Sequence, residues 1–538
     1  MKRWQSLLTI YLLIVVMLLL SWRRWCEPIV DFGRELYVPW QLSAGKMLYR
    51  DIAYFNGPFS PYFNSIVFRM FGDSLMTLAI ANGLLLAAML TLLRAIIAKI
   101  ADAAIATIIC LCLIPLVCIA QPGPVGNYNF ITPYSHEMTH GLLLSFIAIW
   151  SLLRVKPWWD IVAGLFAGLT ILTKPEIAIA CCGAILGGAS LIRNPLAVAR
   201  IAGAMLAPPI LAMLVFKSDA FIAYAHLFDA NLTLLPFYRM TMGTWDAAMS
   251  IRLIVLWGLA GMGLLVLGES VAGSLDRTKR LILLAGLIIL VILTRDMLNW
   301  RQAAMPLIFV NAWALIHTYR SKEPSRFMFA LFAMLLLAKI MLNVTLSNYG
   351  FALALPAVCV SVCFFGAWKE RLLLREGCGL RCATIAMLML GTGVIASYSI
   401  QQWRAKTQPM GEGADRIYMS PARQEAIGLL DVMHTLPGNA TVAVIPQGVM
   451  LNYLARRENS TGFIVIMPPE VLMFGEQKMT GAFTKNPPEF VLTAPTSLSE
   501  YGYRSFTGYA PGLAALIDAT YEEKSRGQGW VLMARRKF

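Results

Sequence analysis

Charge is scarce in this chain. Asp, Glu, Lys and Arg make up 14% of 538 residues, where soluble globular domains carry about a quarter. That shortage excludes an ordinary soluble protein. With 58% hydrophobic residues and a mean hydropathy of +0.65, the composition leaves a polytopic membrane protein. Acidic residues are scarcer than basic ones, 30 against 45. The basic excess lies in short connections between apolar runs, so it reads as a topology signal that meets anionic lipid headgroups, not as a nucleic-acid footprint. Cysteine is missing from residue 401 onward, and nine of the ten cysteines lie in or beside apolar runs. Neither a disulfide framework nor a cysteine metal cluster is therefore expected. The segment after the first apolar run, Ser21 to Cys26, offers no small-residue cleavage site and no lipoprotein box, so that run is expected to stay as an anchor.

What is present is a succession of apolar runs long enough for a hydrocarbon core of about 30 Å. Thirteen spans are expected, near 5–22, 74–98, 103–120, 138–153, 158–173, 176–192, 200–217, 250–268, 281–298, 302–318, 327–346, 350–368 and 382–400. The short runs flanking Lys174-Pro175 are candidates for re-entrant segments. Every second connection is basic: Arg94 and Lys99, Arg154 and Lys156, Arg193 and Arg200, Arg277 to Arg280, Arg320 to Arg326, and Lys369 to Arg381. The alternate connections are nearly bare; 121–137 has no Lys or Arg and 218–249 has only Arg239. The positive-inside rule then places the N-terminus in the cytoplasm and the C-terminal region outside, with Arg23 and Arg24 as the one dissent.

Two domains follow: a membrane core over 1–400, whose first extracytoplasmic loop covers 23–73, and an extracytoplasmic tail over 401–538. A polar linker over 401–414 opens the tail, where helical patterns at 421–435 and 449–457 alternate with strand patterns at 441–446, 489–493 and 530–534. That alternation predicts a small α/β layer domain, packed as an accessory over the core's outer face. It lacks a Gly-rich phosphate loop, a Walker sequence or a catalytic cluster. In the first loop, Phe59, Phe63, Ile66, Val67, Met70 and Phe71 form one apolar stripe and Gly72 suits a C-terminal stop. Such a helix is expected to lie in the membrane interface.

The loop carries Asp31, Arg34 and Glu35, then Gly45 and Leu48-Tyr49-Arg50-Asp51, then Gly57-Pro58 with Pro61-Tyr62, and closes on Phe68-Arg69 and Phe71-Gly72. This pattern resembles the type C membrane glycosyltransferase (GT-C) superfamily, in its bacterial branch of protein O-mannosyltransferases, lipid A aminoarabinose transferases and lipopolysaccharide-core galacturonosyltransferases. The stretch from Gly168 through Leu172-Thr173-Lys174-Pro175 to Glu176 is similar to a second motif of that branch, and Pro446 to Asn452 and Ser499 to Gly502 resemble the soluble domains of relatives. The resemblance implies a sugar donor carried on polyprenyl phosphate, a glycan, lipid or protein acceptor in the envelope of a bacterial cell membrane, and a catalytic carboxylate in the first outer loop.

Such a transfer needs a base for the acceptor hydroxyl and cations for the departing phosphate, and a single in-line displacement inverts the anomeric carbon. The resemblance assigns the base to Asp31; the plainer reading is a helix N-cap ahead of Arg34 and Glu35. Glu35, one turn on, could hold the acceptor or raise the pKa of Asp31, or simply be solvated. Asp51 is a weaker substrate candidate that also suits a turn. For the phosphate the candidates are Lys174, Arg239 and Arg301 at expected outer ends of spans, against snorkelling to the interface, with Lys339 open to either reading.

A rival signal is His136-Glu137-Met138-Thr139-His140, which fits H-E-x-x-H and would let two histidines hold zinc with Glu137 as base. No third ligand is evident, and His226 or Asp296 would be ad hoc. An intramembrane metalloprotease and a non-enzymatic lipid-linked sugar transporter stand as alternatives. No cofactor is implied beyond a divalent cation, for which His136, Glu137 and His140 are the candidates. Otherwise His136 and Glu137 are expected as pocket residues.

Overall fold

The computed structural model describes residues 3–154, 156–233, 255, 306–339, 349–368 and 379–536. Arg239, Asp296 and Arg301 lie outside the described residues, as do the expected spans 250–268 (apart from residue 255) and 281–298.

Nine helices open the chain: α1 (Arg3–Leu20), α2 (Phe32–Ser43), α3 (Phe59–Phe71), α4 (Leu75–Ile100), α5 (Ala103–Leu113), α6 (His136–Leu152), α7 (Pro157–Ile171), α8 (Pro175–Ile192) and α9 (Pro195–Thr233). Local chemistry starts several of them. Ser74 accepts from the Thr77 amide to cap α4, and Asp102 accepts from the Ala104 and Ile105 amides to cap α5. Proline stands first in α7 and α8, where its missing N–H costs nothing. Further helices run over Leu307–Arg320, Pro324–Leu337, Leu355–Cys363 and Gly379–Ala405.

Among the described residues six helices are long and apolar enough to cross a membrane: Arg3–Leu20, Leu75–Ile100, Pro175–Ile192, Pro195–Phe216, Gly350–Trp368 and Leu380–Ala405. The expected thirteen is not reached by that criterion. Three apolar helices, among them α7, are shorter. Helix α6 is buried along most of its length and sits at the centre of the bundle.

The tail builds a four-stranded sheet from β3 (Val442–Ile445), β4 (Phe490–Thr493), β6 (Trp530–Arg535) and β5 (Tyr521–Gly527), in that order. Strands β3 and β4 run parallel, and the other pairs are antiparallel. The expected linker is not irregular. Its first residues prolong the last core helix to Ala405, and β1 (Gln408–Met410) pairs antiparallel with β2 (Ile417–Met419). Strand β5 carries exposed Glu, Lys and Arg along an edge, which hides the apolar alternation that marks a half-buried strand.

The tail does not merely rest on the loop. One apolar cluster joins Phe32, Leu36 and Tyr37 of α2 to Met410, Ile417, Leu429, Met450 and Tyr453 of the tail. A methyl group placed on Gly33 would sit 2.4 Å from the Met450 amide nitrogen, so only glycine lets α2 meet the Val449–Leu454 helix this closely. The Tyr37 hydroxyl accepts from the Asn459 amide at 2.8 Å, and the Tyr453 hydroxyl donates to the Asp73 carbonyl at 2.6 Å. Helix α3 turns Ser60, Asn64 and Ser65 inward and leaves Ile66, Met70 and Phe71 exposed. The expected apolar stripe is thus divided, with Phe59 and Phe63 packed against His140.

Candidate active site

Asp31 precedes α2 with φ 58° and ψ −62°. The Phe32 amide donates back to the Val30 carbonyl at 2.7 Å, which closes a γ-turn of the rare, strained hand around Asp31. Asp31 does occupy the N-cap position, but its side chain caps no amide of α2. The plainer reading of a capping aspartate therefore fails. Its charge acts instead on Arg34, Tyr134 and Glu470.

Behind Asp31 lies a buried polar layer. Arg34, 5% exposed, donates to Glu35 at 3.2 Å and to the Tyr134 carbonyl at 2.8 Å, and lies over the Phe55 ring. Glu35 is neither solvated nor open to a substrate. Its Oε2 accepts from both the backbone amide of His136 at 2.9 Å and His136 Nδ1 at 2.7 Å. A carboxylate from α2 thus caps the N-terminus of α6, where orphan amides and the helix dipole favour negative charge. Burial pushes the Glu35 carboxyl up, but the His136 hydrogen bonds and the Arg34 guanidinium outweigh it and hold the group below its ordinary value.

Both ring nitrogens of His136 are spoken for. Asn82 of α4 donates one hydrogen to the Ile131 carbonyl and faces His136 Nε2 at 2.9 Å with the other. That pattern assigns the neutral ring with its proton on Nδ1. Glu137 accepts from Tyr54 at 2.5 Å, from Ser135 at 2.6 Å and from Asn56 at 3.5 Å. His140 Nδ1 meets Ser60 Oγ at 3.0 Å, and its Nε2 is buried without a hydrogen-bond partner. His226 is exposed. Among the described residues no three His, Cys, Asp or Glu side chains gather as metal ligands. Among the described residues His136 ties α6 to α2 and α4, Glu137 holds Tyr54 and Asn56, His140 meets Ser60 of α3, and no third ligand joins the two histidines.

Lys174, just before α8, is 8% exposed and donates to the Tyr134 hydroxyl at 2.9 Å. Burial lowers its pKa to about 8, against the pull of Glu176. Glu176 lies 3.9 Å from Lys174 and also pairs with Lys339, so the two lysines share one carboxylate. Tyr134 therefore links Arg34, through its carbonyl, to Lys174, through its hydroxyl. The two sequence motifs that carry the resemblance are also zipped together. Gly57 donates to the Thr173 carbonyl at 2.8 Å and Phe59 to the Leu172 carbonyl at 3.0 Å. A methyl group on Gly57 would fall 2.1 Å from the Leu172 oxygen.

Asp51 stands apart. It accepts from the Met47 amide and pairs with its exposed neighbour Arg50, which is the turn role its sequence allowed. Residues that sequence reasoning passed over include Tyr54, Asn82, Tyr134 and Glu470. Glu470, in the Pro468–Phe474 helix of the tail, lines a water-sized cavity of about 10 Å³ with Arg34, Tyr54, Phe55, Phe463 and Phe474. Its Oε2 is buried without a hydrogen-bond partner, and burial raises its pKa to about 7. A lone Glu in a proline-flanked turn gave no signal of this in sequence.

No protein-family model matches the sequence, and no curated protein is similar to it at a significant level. Solved structures do resemble the fold. The Archaeoglobus fulgidus oligosaccharyltransferase, solved with zinc and sulfate, superposes with a TM-score of 0.52 at 12% identity, over 98% of this chain and 73% of that one. The same enzyme tethered to an acceptor peptide gives 0.51 at 10% identity, over 99% and 74%. ArnT from Cupriavidus metallidurans, bound to undecaprenyl phosphate, gives 0.44 at 14% identity, over 97% of each chain. The chain has the GT-C fold.

Proposed function

We propose that the protein transfers a sugar from a polyprenyl-phosphate donor to a hydroxyl-bearing envelope acceptor, on the extracytoplasmic face of a bacterial cell membrane, with inversion. Asp31 is the base. The observation that carries this reading is the strained γ-turn, which spends backbone energy of about 1–3 kcal/mol to hold the Asp31 carboxylate beside the buried Arg34 instead of on the amides of α2. As the acceptor oxygen bonds to the anomeric carbon, its proton passes to Asp31 and the bond from that carbon to the phosphate oxygen breaks. Lys174 meets the charge left on the phosphate, with Lys339 beside it. Arg34 orients the donor between them. Arg239 and Arg301 remain further candidates for the phosphate. Glu35, His136 and Glu137 act by positioning these groups.

The test is mass spectrometry of envelope glycans and glycolipids from cells carrying the protein, lacking it, or carrying Asp31→Asn. A glycan gaining one sugar mass with the wild type alone is the expected result. Full modification by Asp31→Asn removes the base assignment. Donor translocation without any sugar transfer would assign the chain to transport instead.

A further inference from the structure

Helices α4 and α6 end far from the candidate active site. From Asn82 to Lys99, and from His136 to Leu152, each helix rises about 25 Å. At that opposite end Lys99, Arg154, Lys156, Trp158 and Trp159 line a cavity of 510 Å³.

The cavity is built, not a loose run of surface cations. Lys99 of α4 donates to the Leu153 carbonyl, and Arg193 donates to the carbonyls of Leu152 and Arg154. These bonds satisfy the last carbonyls of α6 and fix the turn that carries Arg154. The Arg154 guanidinium lies 4.3 Å from the Trp150 ring centre and 5.8 Å from that of Trp159. Trp158 stacks on Trp159 at 3.8 Å, half-exposed. The nearby carboxylate, Asp160, is taken by Arg193 at 2.9 Å and Arg200 at 3.8 Å. Among the described residues, no ion pair with a carboxylate involves Lys99, Arg154 or Lys156.

We propose that this cavity binds the headgroup of an anionic phospholipid in the leaflet opposite the active site, with a two-phosphate headgroup preferred over a one-phosphate one. Three cations around one cavity, none ion-paired among the described residues, suit more than one negative charge. Stacked tryptophans at its edge place it at headgroup level, where amphipathic rings collect. Basic pockets between membrane helices bind such headgroups for the same reason.

Native mass spectrometry of the full-length protein, titrated with tetraoleoyl cardiolipin, a phosphatidylglycerol or a phosphatidylcholine, tests this directly. Cardiolipin is expected to bind most tightly and phosphatidylcholine least. The variant K99Q/R154Q/K156Q should weaken cardiolipin binding by about tenfold or more. R320Q/K322Q, which removes two cations from another connection, should leave it unchanged. Lys156→Gln alone, at an exposed position, keeps the test open if the triple variant does not fold; it should weaken binding by about fivefold. Equal affinity for the three lipids overturns the proposal. So does an equal loss in the R320Q/K322Q control, which would mean general surface charge. Binding of inorganic phosphate as tight as that of cardiolipin would assign the cavity to a free anion and overturn the lipid.

Discussion

At the scale of single residues, function competes with comfort. Asp31 holds a backbone conformation that β-carbons disfavour. Asp31→Gly should raise the thermal midpoint in detergent while abolishing transfer; a variant that is no more stable would show that the turn stores no strain. Glu35 behaves in the opposite way. Besides holding His136 it pairs with the buried guanidinium of Arg34 at 3.2 Å, so Glu35→Gln, which leaves that charge without its carboxylate, should cost about 3–5 kcal/mol, read as a lowered midpoint near neutral pH. Its depressed pKa sets the sign of the pH effect. The stabilisation is present above the unfolded value of 4.5 and drains away as pH falls below it. Wild type should therefore lose more stability than Glu35→Gln between neutral and acid pH; parallel losses would contradict the pairing. Lys174 titrates in the alkaline range instead. Affinity for the proposed polyprenyl-phosphate donor should fall as pH rises through about 8, where Lys174 loses its proton. Lys174→Arg, which keeps its charge, should flatten that profile.

Among elements, the joint between the first loop and the start of α8 decides the site. The chain at Gly57 lies against the carbonyls of residues 172 and 173, closer than any side chain allows. Gly57→Ala should destabilise the protein by about 1–3 kcal/mol by overpacking. Gly83→Ala, whose new methyl would meet only Leu18 at 3.8 Å, should be neutral in the same thermal measurement. A similar loss in both would mean that this contact is not the cause, since the entropy change of Gly→Ala favours folding. Helices were the readily legible part of the sequence, since an apolar run of span length leaves little choice. Caps at Ser74 and Asp102 and the proline starts of α7 and α8 were equally plain. Edge strand β5 was not, because its charged face carries no apolar alternation.

In the whole molecule, loop and tail share one apolar core, so neither is complete alone. Removing residues 406–538 would expose Phe32, Leu36 and Tyr37 to water. The truncated chain should aggregate on extraction and lack transfer, as size-exclusion chromatography and the glycan assay would record. A monodisperse, active fragment would show the tail to be dispensable.

The sequence by itself determined the helical membrane character and the sheet-bearing character of the tail, because composition and period act locally. Tertiary structure alone decided the division of labour among the charged groups. Side chains as far apart in the chain as Glu35 and His136, or Arg34 and Glu470, meet only after the helices pack. Burial then determines what each can do. Partners engage Glu35 and His136, while Asp31 is turned away from the helix amides it would otherwise cap. Spacing along a chain cannot report which groups a side chain meets once buried, and here the buried hydrogen bonds of Glu35, His136 and Glu137 mark them as positioning residues.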